Sequence, residues 1–198
     1  MGPGEEFLQA LRVLTLLSVG PGRSLLLLAD GARWIRAFLR TLVVPVPTTL
    51  MILDWWRLRQ KCSELGNRIC RGHLAKERFL LQVQRRLWRG EVESACAYVD
   101  AYRSQARNTE KLEELLAFLR ARREFLPAYR QRYTTRQYIG SGHTEKLNDL
   151  LVARRQKGQG RHWSQETSDA LAALHTLLLN DGWERYWQHR QVLPLLAS

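Results

Sequence analysis

Cysteine is scarce in this chain of 198 residues: Cys62, Cys70 and Cys96 are the only three. An odd number argues against a secreted disulfide framework. Cys70 and His73 form a C-x-x-H pair, half of a zinc site, but no second Cys/His pair follows at finger-like spacing. Buried thiols in helices are the expectation. The sequence also lacks any apolar run near the ~20 residues that a membrane helix needs. Its most apolar stretch, Leu42 to Leu53, contains Pro45 and Pro47. The start, MGPGEEF, has no cationic segment ahead of an apolar one, and Glu6 stands where a myristoylation signal has Ser or Thr. These absences predict a soluble, cytoplasmic protein with no membrane partner. Acids are few as well: 19 Asp and Glu against 31 Lys and Arg give a formal net charge of +12, which calls for a polyanionic partner.

Hydrophobic residues make up 45% of the chain, enough for a core, and the length suits one domain or a domain with an insertion. Helical apolar spacing runs from Phe7 to Leu17 and stops at Gly20-Pro21-Gly22. Ser24 to Ala29 is a short apolar run ending at Asp30; an amphipathic helix, Ala32 to Leu42, follows; Thr48 to Leu53 is a second apolar run ending at Asp54. Continuous apolar runs alternating with helices predict a parallel strand pair, with both aspartates at its C-terminal edge, where open α/β sheets place their sites. Residues 55–133 carry no strand signal, and four helices are predicted there: Trp55 to Cys70, Ala75 to Trp88, Glu91 to Arg107, and Thr109 to Tyr133 with a break near Pro127. The expected fold is α/β and mostly helical, in three stretches: 1–54 with the strands, a helical 55–133, and 134–198. Ser164 opens the last helix, with Gln165 and Glu166 in its first turn.

The stretch from Tyr138 to Trp163, YIGSGHTEKLNDLLVARRQKGQGRHW, is the most telling. A Gly-Ser-Gly turn leads to Glu145, and Lys146, Arg154, Arg155, Lys157 and Arg161 follow it. From Arg120 to Arg161 eleven Lys and Arg stand against three acids, Glu124, Glu145 and Asp149. Such an excess predicts DNA-backbone contacts with little sequence preference. Trp163 and His162, beside the Gly158/Gly160 loop, are placed to stack on an unpaired base, and packing in the core is the competing role for Trp163.

The Gly-Ser-Gly-x-x-Glu-Lys motif, paired with Arg-Arg-x-Lys-Gly-x-Gly-x-x-Trp and followed by NDGWERYW, resembles the C-terminal end of DDE-type insertion-sequence transposases with an RNase H-like core. Upstream, LLLLADGARWIRAF resembles that family's second-acid strand, and TTLMILDWWRLRQKCSEL its next strand. The resemblance runs from about Leu25 onward. It implies Asp30 as the second and Glu145 as the third catalytic and metal-binding acid, with residues 55–133 as a helical insertion in a partial RNase H-like core. The implied cofactor is Mg²⁺ or Mn²⁺ and the implied partner is DNA; a homo-oligomer and a bacterial, nucleoid-associated location go with it. Carboxylate oxygens suit such hard cations, and paired ions drive in-line phosphoryl chemistry.

The family's first Asp has no counterpart ahead of Asp30, where the only carboxylates are Glu5 and Glu6. Arg57 stands where the family usually has His, and Arg161 where it often has Met. The expectation is an N-terminally truncated transposase that lacks the first three strands, binds DNA and does not cleave it, since loss of one ligand disables the metal pair as a unit. A strand gap of that kind would expose an apolar sheet edge. A basic helical nucleic-acid-binding protein without catalysis is the alternative. For Asp30 a turn-forming role before Gly31, and for Asp54 a helix cap, are the structural alternatives.

Overall fold

Two apolar pentapeptides, Leu25–Ala29 (β1) and Thr49–Leu53 (β2), pair in parallel, Leu25 opposite Thr49 and Ala29 opposite Leu53. The computed structural model describes residues 3–19, 23–43, 46, 49–142, 145–146, 149–150, 163–179 and 181–189. It divides into two compact units, Arg23–Gly140 and the pair Met1–Gly22 with Ser141–Ser198. Among the described residues the sheet has two strands, and Leu50 on β2 is 46% exposed. The fold is mostly helical with this small parallel sheet, as the sequence predicts.

In the first unit, helix α2 (Arg33–Val43) connects the strands, and five helices follow β2: α3 (Trp55–Ile69), α4 (His73–Arg89), α5 (Val92–Ala101), α6 (Thr109–Arg120) and α7 (Tyr129–Thr134). Their inner faces are set by 3.6-residue periodicity. Leu58, Cys62, Leu65 and Ile69 line one side of α3, and Phe79, Val83 and Leu87 one side of α4. Leu112, Leu115, Leu116 and Leu119 of α6 complete the core with Ala95 and Val99 of α5. Asn108 caps α6 by accepting the Lys111 N–H at 3.0 Å. Two predicted helices are shorter than the sequence indicates. The third gives way at Tyr102–Gln105 to a tighter 3₁₀ turn, after which the Arg107 N–H donates to the Ile69 carbonyl at 2.7 Å. The fourth stops at Arg120, passes through a 3₁₀ turn at Arg123–Phe125, and resumes beyond Pro127 as α7.

The second unit holds α1 (Pro3–Ser18), α8 (Gln165–Leu179) and α9 (Trp183–His189). Ser164 Oγ accepts the Thr167 N–H at 3.2 Å, the cap expected for α8. Leu177 is buried, while Phe7, Val13 and Leu17 of α1 stay exposed. No helix among the described residues is long and apolar enough to cross a membrane.

Candidate functional site

The two strands end in step. The Asp54 N–H donates to the Ala29 carbonyl at 2.8 Å, extending the ladder one residue and setting Asp30 and Asp54 side by side on neighbouring strands. Each aspartate then opens a helix. Asp30 Oδ1 accepts the Ala32 N–H at 2.9 Å, ahead of α2. Asp54 Oδ1 accepts the N–H groups of Trp56 at 2.7 Å and Arg57 at 3.2 Å, the N-terminal cap of α3. Burial separates them. Asp54 is 2% exposed and is the one buried charged residue among those described, whereas Asp30 is exposed. A buried carboxylate needs such N–H donors and a helix N-terminus to offset its lost hydration. Asp54 therefore has a structural task, and Asp30 keeps a carboxylate open to solvent.

Gly31 makes the turn after Asp30 with φ of +82°, where a side chain is strained. A Cβ on it would also stand 2.7 Å from Arg122 Nε and 3.0 Å from Leu53 Cδ1. Arg122 Nη2 donates to the Gly31 carbonyl at 3.3 Å, and its guanidinium carbon lies 4.2 Å from the Phe118 ring centroid. Its Nε is buried without a hydrogen-bond partner. Burial pushes the Arg122 pKa down, the nearby Arg36 charge adds to that, and Asp30 opposes both.

The backbone that enters the Gly-Ser-Gly turn also meets the end of β2. The Ile139 carbonyl accepts the Trp55 N–H at 2.9 Å, and Gly140 packs against Asp54 and Trp56. The paired tryptophans divide their tasks. Trp55 is buried, 4.8 Å from Trp88 and 4.9 Å from Tyr129 between ring centroids. Trp56, one residue on and so about 100° around the helix, is 57% exposed with the Arg59 guanidinium 5.6 Å from its ring. Tyr129 donates its hydroxyl to the Leu53 carbonyl at 2.8 Å; burial, then the Asp54 charge, pushes its pKa up. Sequence reasoning missed Tyr129, the exposed Trp56 and the reach of Arg122 to Gly31. Only the Trp-Trp pair left a signal, because adjacent helix positions cannot both face the core.

In the other unit, the Glu145 N–H donates to the Ser141 carbonyl at 3.0 Å, closing one helical turn, and Glu145 and Lys146 are exposed. Trp163 is 38% exposed. Asp30 and Glu145 belong to different units, and each is placed within its own. Arg154, Arg155, Lys157 and Arg161 lie outside the described residues, as does His162. Among the described residues no three His, Cys, Asp or Glu gather as a metal site. Cys70 is buried, where desolvation pushes its thiol up, and His73 is exposed with its ring 3.5 Å from Glu77.

Comparison with protein-family models, with curated proteins and with solved structures gives no match for this chain.

Proposed function

We propose that the chain is a transposase or transposase remnant of the DDE type, in which Asp30 and Glu145 are two of the carboxylates that hold Mg²⁺ or Mn²⁺ against DNA. The observation that carries this reading is Asp30 itself: an exposed carboxylate at the end of an apolar parallel strand, level with the end of β2 and followed by a left-handed glycine. Carboxylate oxygens suit a hard divalent cation, so the donors fit in kind. Bound there, the ion would supply Lewis-acid activation of water or a 3′-hydroxyl and offset charge on the leaving oxygen. Among the described residues the sheet has two strands and Leu50 on β2 is half exposed, which is compatible with further strands of an RNase H-like core.

DNA is the polyanion that the charge of +12 serves, with Lys146, Trp163 and the Arg154–Arg161 run as backbone and base contacts. Two acids are one short of the family's three, and Glu5 and Glu6 on α1 are the only carboxylates before Asp30. Incubated alone with its element ends and Mg²⁺, the chain should bind DNA and leave it uncut; nicking at those ends would contradict the two-acid assignment.

The second reading, a basic helical nucleic-acid-binding protein without catalysis, is favoured by the net charge of +12 on a mostly helical fold. Manganese titration followed by electron paramagnetic resonance separates the two. Asp30→Asn and Glu145→Gln should each weaken Mn²⁺ binding at least about tenfold, as removal of a metal-site partner does. If neither variant changes it, the second reading stands.

A further inference from the structure

A cavity of about 450 Å³ lies between α2 and the turn at Arg123–Phe125, with Arg36 and Arg40 on one wall and Phe125 and Leu39 as its apolar part. Arg36 and Arg40 are one helical turn apart, on the same face of α2. That helix has no acid of its own. Several cations elsewhere in this unit are paired: Lys61 and Lys111 with Glu114, Arg103 with Asp100 and Glu113, Arg89 with Glu91. Among the described residues Arg36 and Arg40 have no such partner, and Glu124, the acid lining the cavity, forms no ion pair with either. Arg122, whose buried Nε also lacks a partner, is close enough to Arg36 to feel its charge, and it holds the Gly31 carbonyl next to Asp30. Arg36 and Arg40 thus carry guanidinium donors with no anion bound to them among the described residues, and Arg36 lies near Arg122. The fork geometry of arginine suits phosphate oxygens.

We infer that this cleft is a phosphodiester-binding subsite, in which Arg36 and Arg40 hold a backbone phosphate of DNA. The inference rests on the DNA-binding reading above and assigns it residues of the first unit, in addition to Lys146 and the Arg154–Arg161 run. The cavity is the size of a small-ligand site, so it accepts a phosphate with its flanking sugars. Glu124 at its edge sets the polarity, repelling an anion that strays from the arginine wall.

The test is fluorescence anisotropy of a labelled DNA duplex with the full chain, repeated from about 50 to 200 mM salt. Arg36→Gln/Arg40→Gln should lower the slope of log affinity against log salt by about 0.9, the share of the one phosphate they hold. Arg40→Gln alone, at an exposed position that cannot unfold the helix, should remove about half of that. A double variant with the wild-type slope overturns the subsite while leaving the DNA-binding reading intact. So does an equal drop in Arg71→Gln/Arg78→Gln, two exposed arginines of the α3–α4 region, because the effect would then be net charge alone. A wild-type chain that binds no duplex at any salt brings down both.

Discussion

Gly140 and Asp54 are pressed together at the end of β2: a Cβ on Gly140 would stand 3.1 Å from Asp54 Oδ1, 3.3 Å from Oδ2 and 2.9 Å from Trp56 Cδ1. The Asp54 carboxylate is fixed by the first turn of α3, so it cannot retreat without losing its N–H donors. Gly140→Ala should therefore destabilise the chain by about 1–3 kcal/mol, the usual cost of overpacking. Urea unfolding followed by tryptophan fluorescence measures this directly. An unchanged midpoint would mean that the backbone entering the Gly-Ser-Gly turn shifts freely.

Tyr129 joins the helices to the sheet through one buried hydrogen bond, hydroxyl to Leu53 carbonyl. Tyr129→Phe keeps the ring contacts with Trp55 and removes the donor, leaving that carbonyl unpaired. The expected loss is about 1–3 kcal/mol by urea unfolding. A neutral result would show that water reaches the end of β2.

The parallel pair and the α3 stripe were legible because burial imposes a period on the chain. Leu58, Cys62, Leu65 and Ile69 recur at helical spacing, and β1 and β2 read as unbroken apolar runs. The aspartates at both strand ends were legible for the same reason, and the capping role of Asp54 follows from its place before α3. The contacts that shape the site were not. Arg122 reaches Gly31 across 91 positions, and the Tyr129 hydroxyl reaches Leu53 across 76; no local pattern encodes either. The early end of the third predicted helix is similar, since Arg107 leaves the helical path for a carbonyl on α3. Tertiary hydrogen bonds override propensity there.

The three thiols are buried, and desolvation pushes Cys62 up to about 12. The thiolate is the reactive form, so at pH 8 the native chain should react with an aromatic disulfide reagent only as fast as it opens. In guanidinium all three should react at once. Rapid native labelling of Cys62 would place it at an open surface.

Glu114 accepts from Lys111 at 2.8 Å and Lys61 at 2.9 Å, and these hydrogen bonds hold its carboxyl down at about 2, below its ordinary 4.5. The folded pKa is the lower one, so the stabilisation is complete above about 4.5 and is lost as the pH falls toward 2. The side chain is 40% exposed, and solvent screening limits the contribution to less than ~1 kcal/mol. Glu114→Gln should cost that small amount at pH 7 and flatten the acid side of a stability–pH curve. A curve unchanged between pH 2 and 4.5 would show that the lysines do not hold the carboxylate in solution.

Asp30 and Asp54 are the same residue type at the same strand end, and burial predicts that mutation will separate them. Removing the buried cap in Asp54→Ala strips two N–H groups of their acceptor and should cost about 1–2 kcal/mol. Asp30→Asn keeps an oxygen for the Ala32 N–H, and asparagine caps as well as aspartate does, so stability should stay within about 0.5 kcal/mol. Manganese binding should respond in the opposite sense, falling for Asp30→Asn and persisting in folded Asp54→Asn. Thermal melts and Mn²⁺ titrations of the same variants give both readings. If Asp54→Asn loses the ion and Asp30→Asn does not, the buried aspartate is the ligand and the exposed one merely turns the chain into α2.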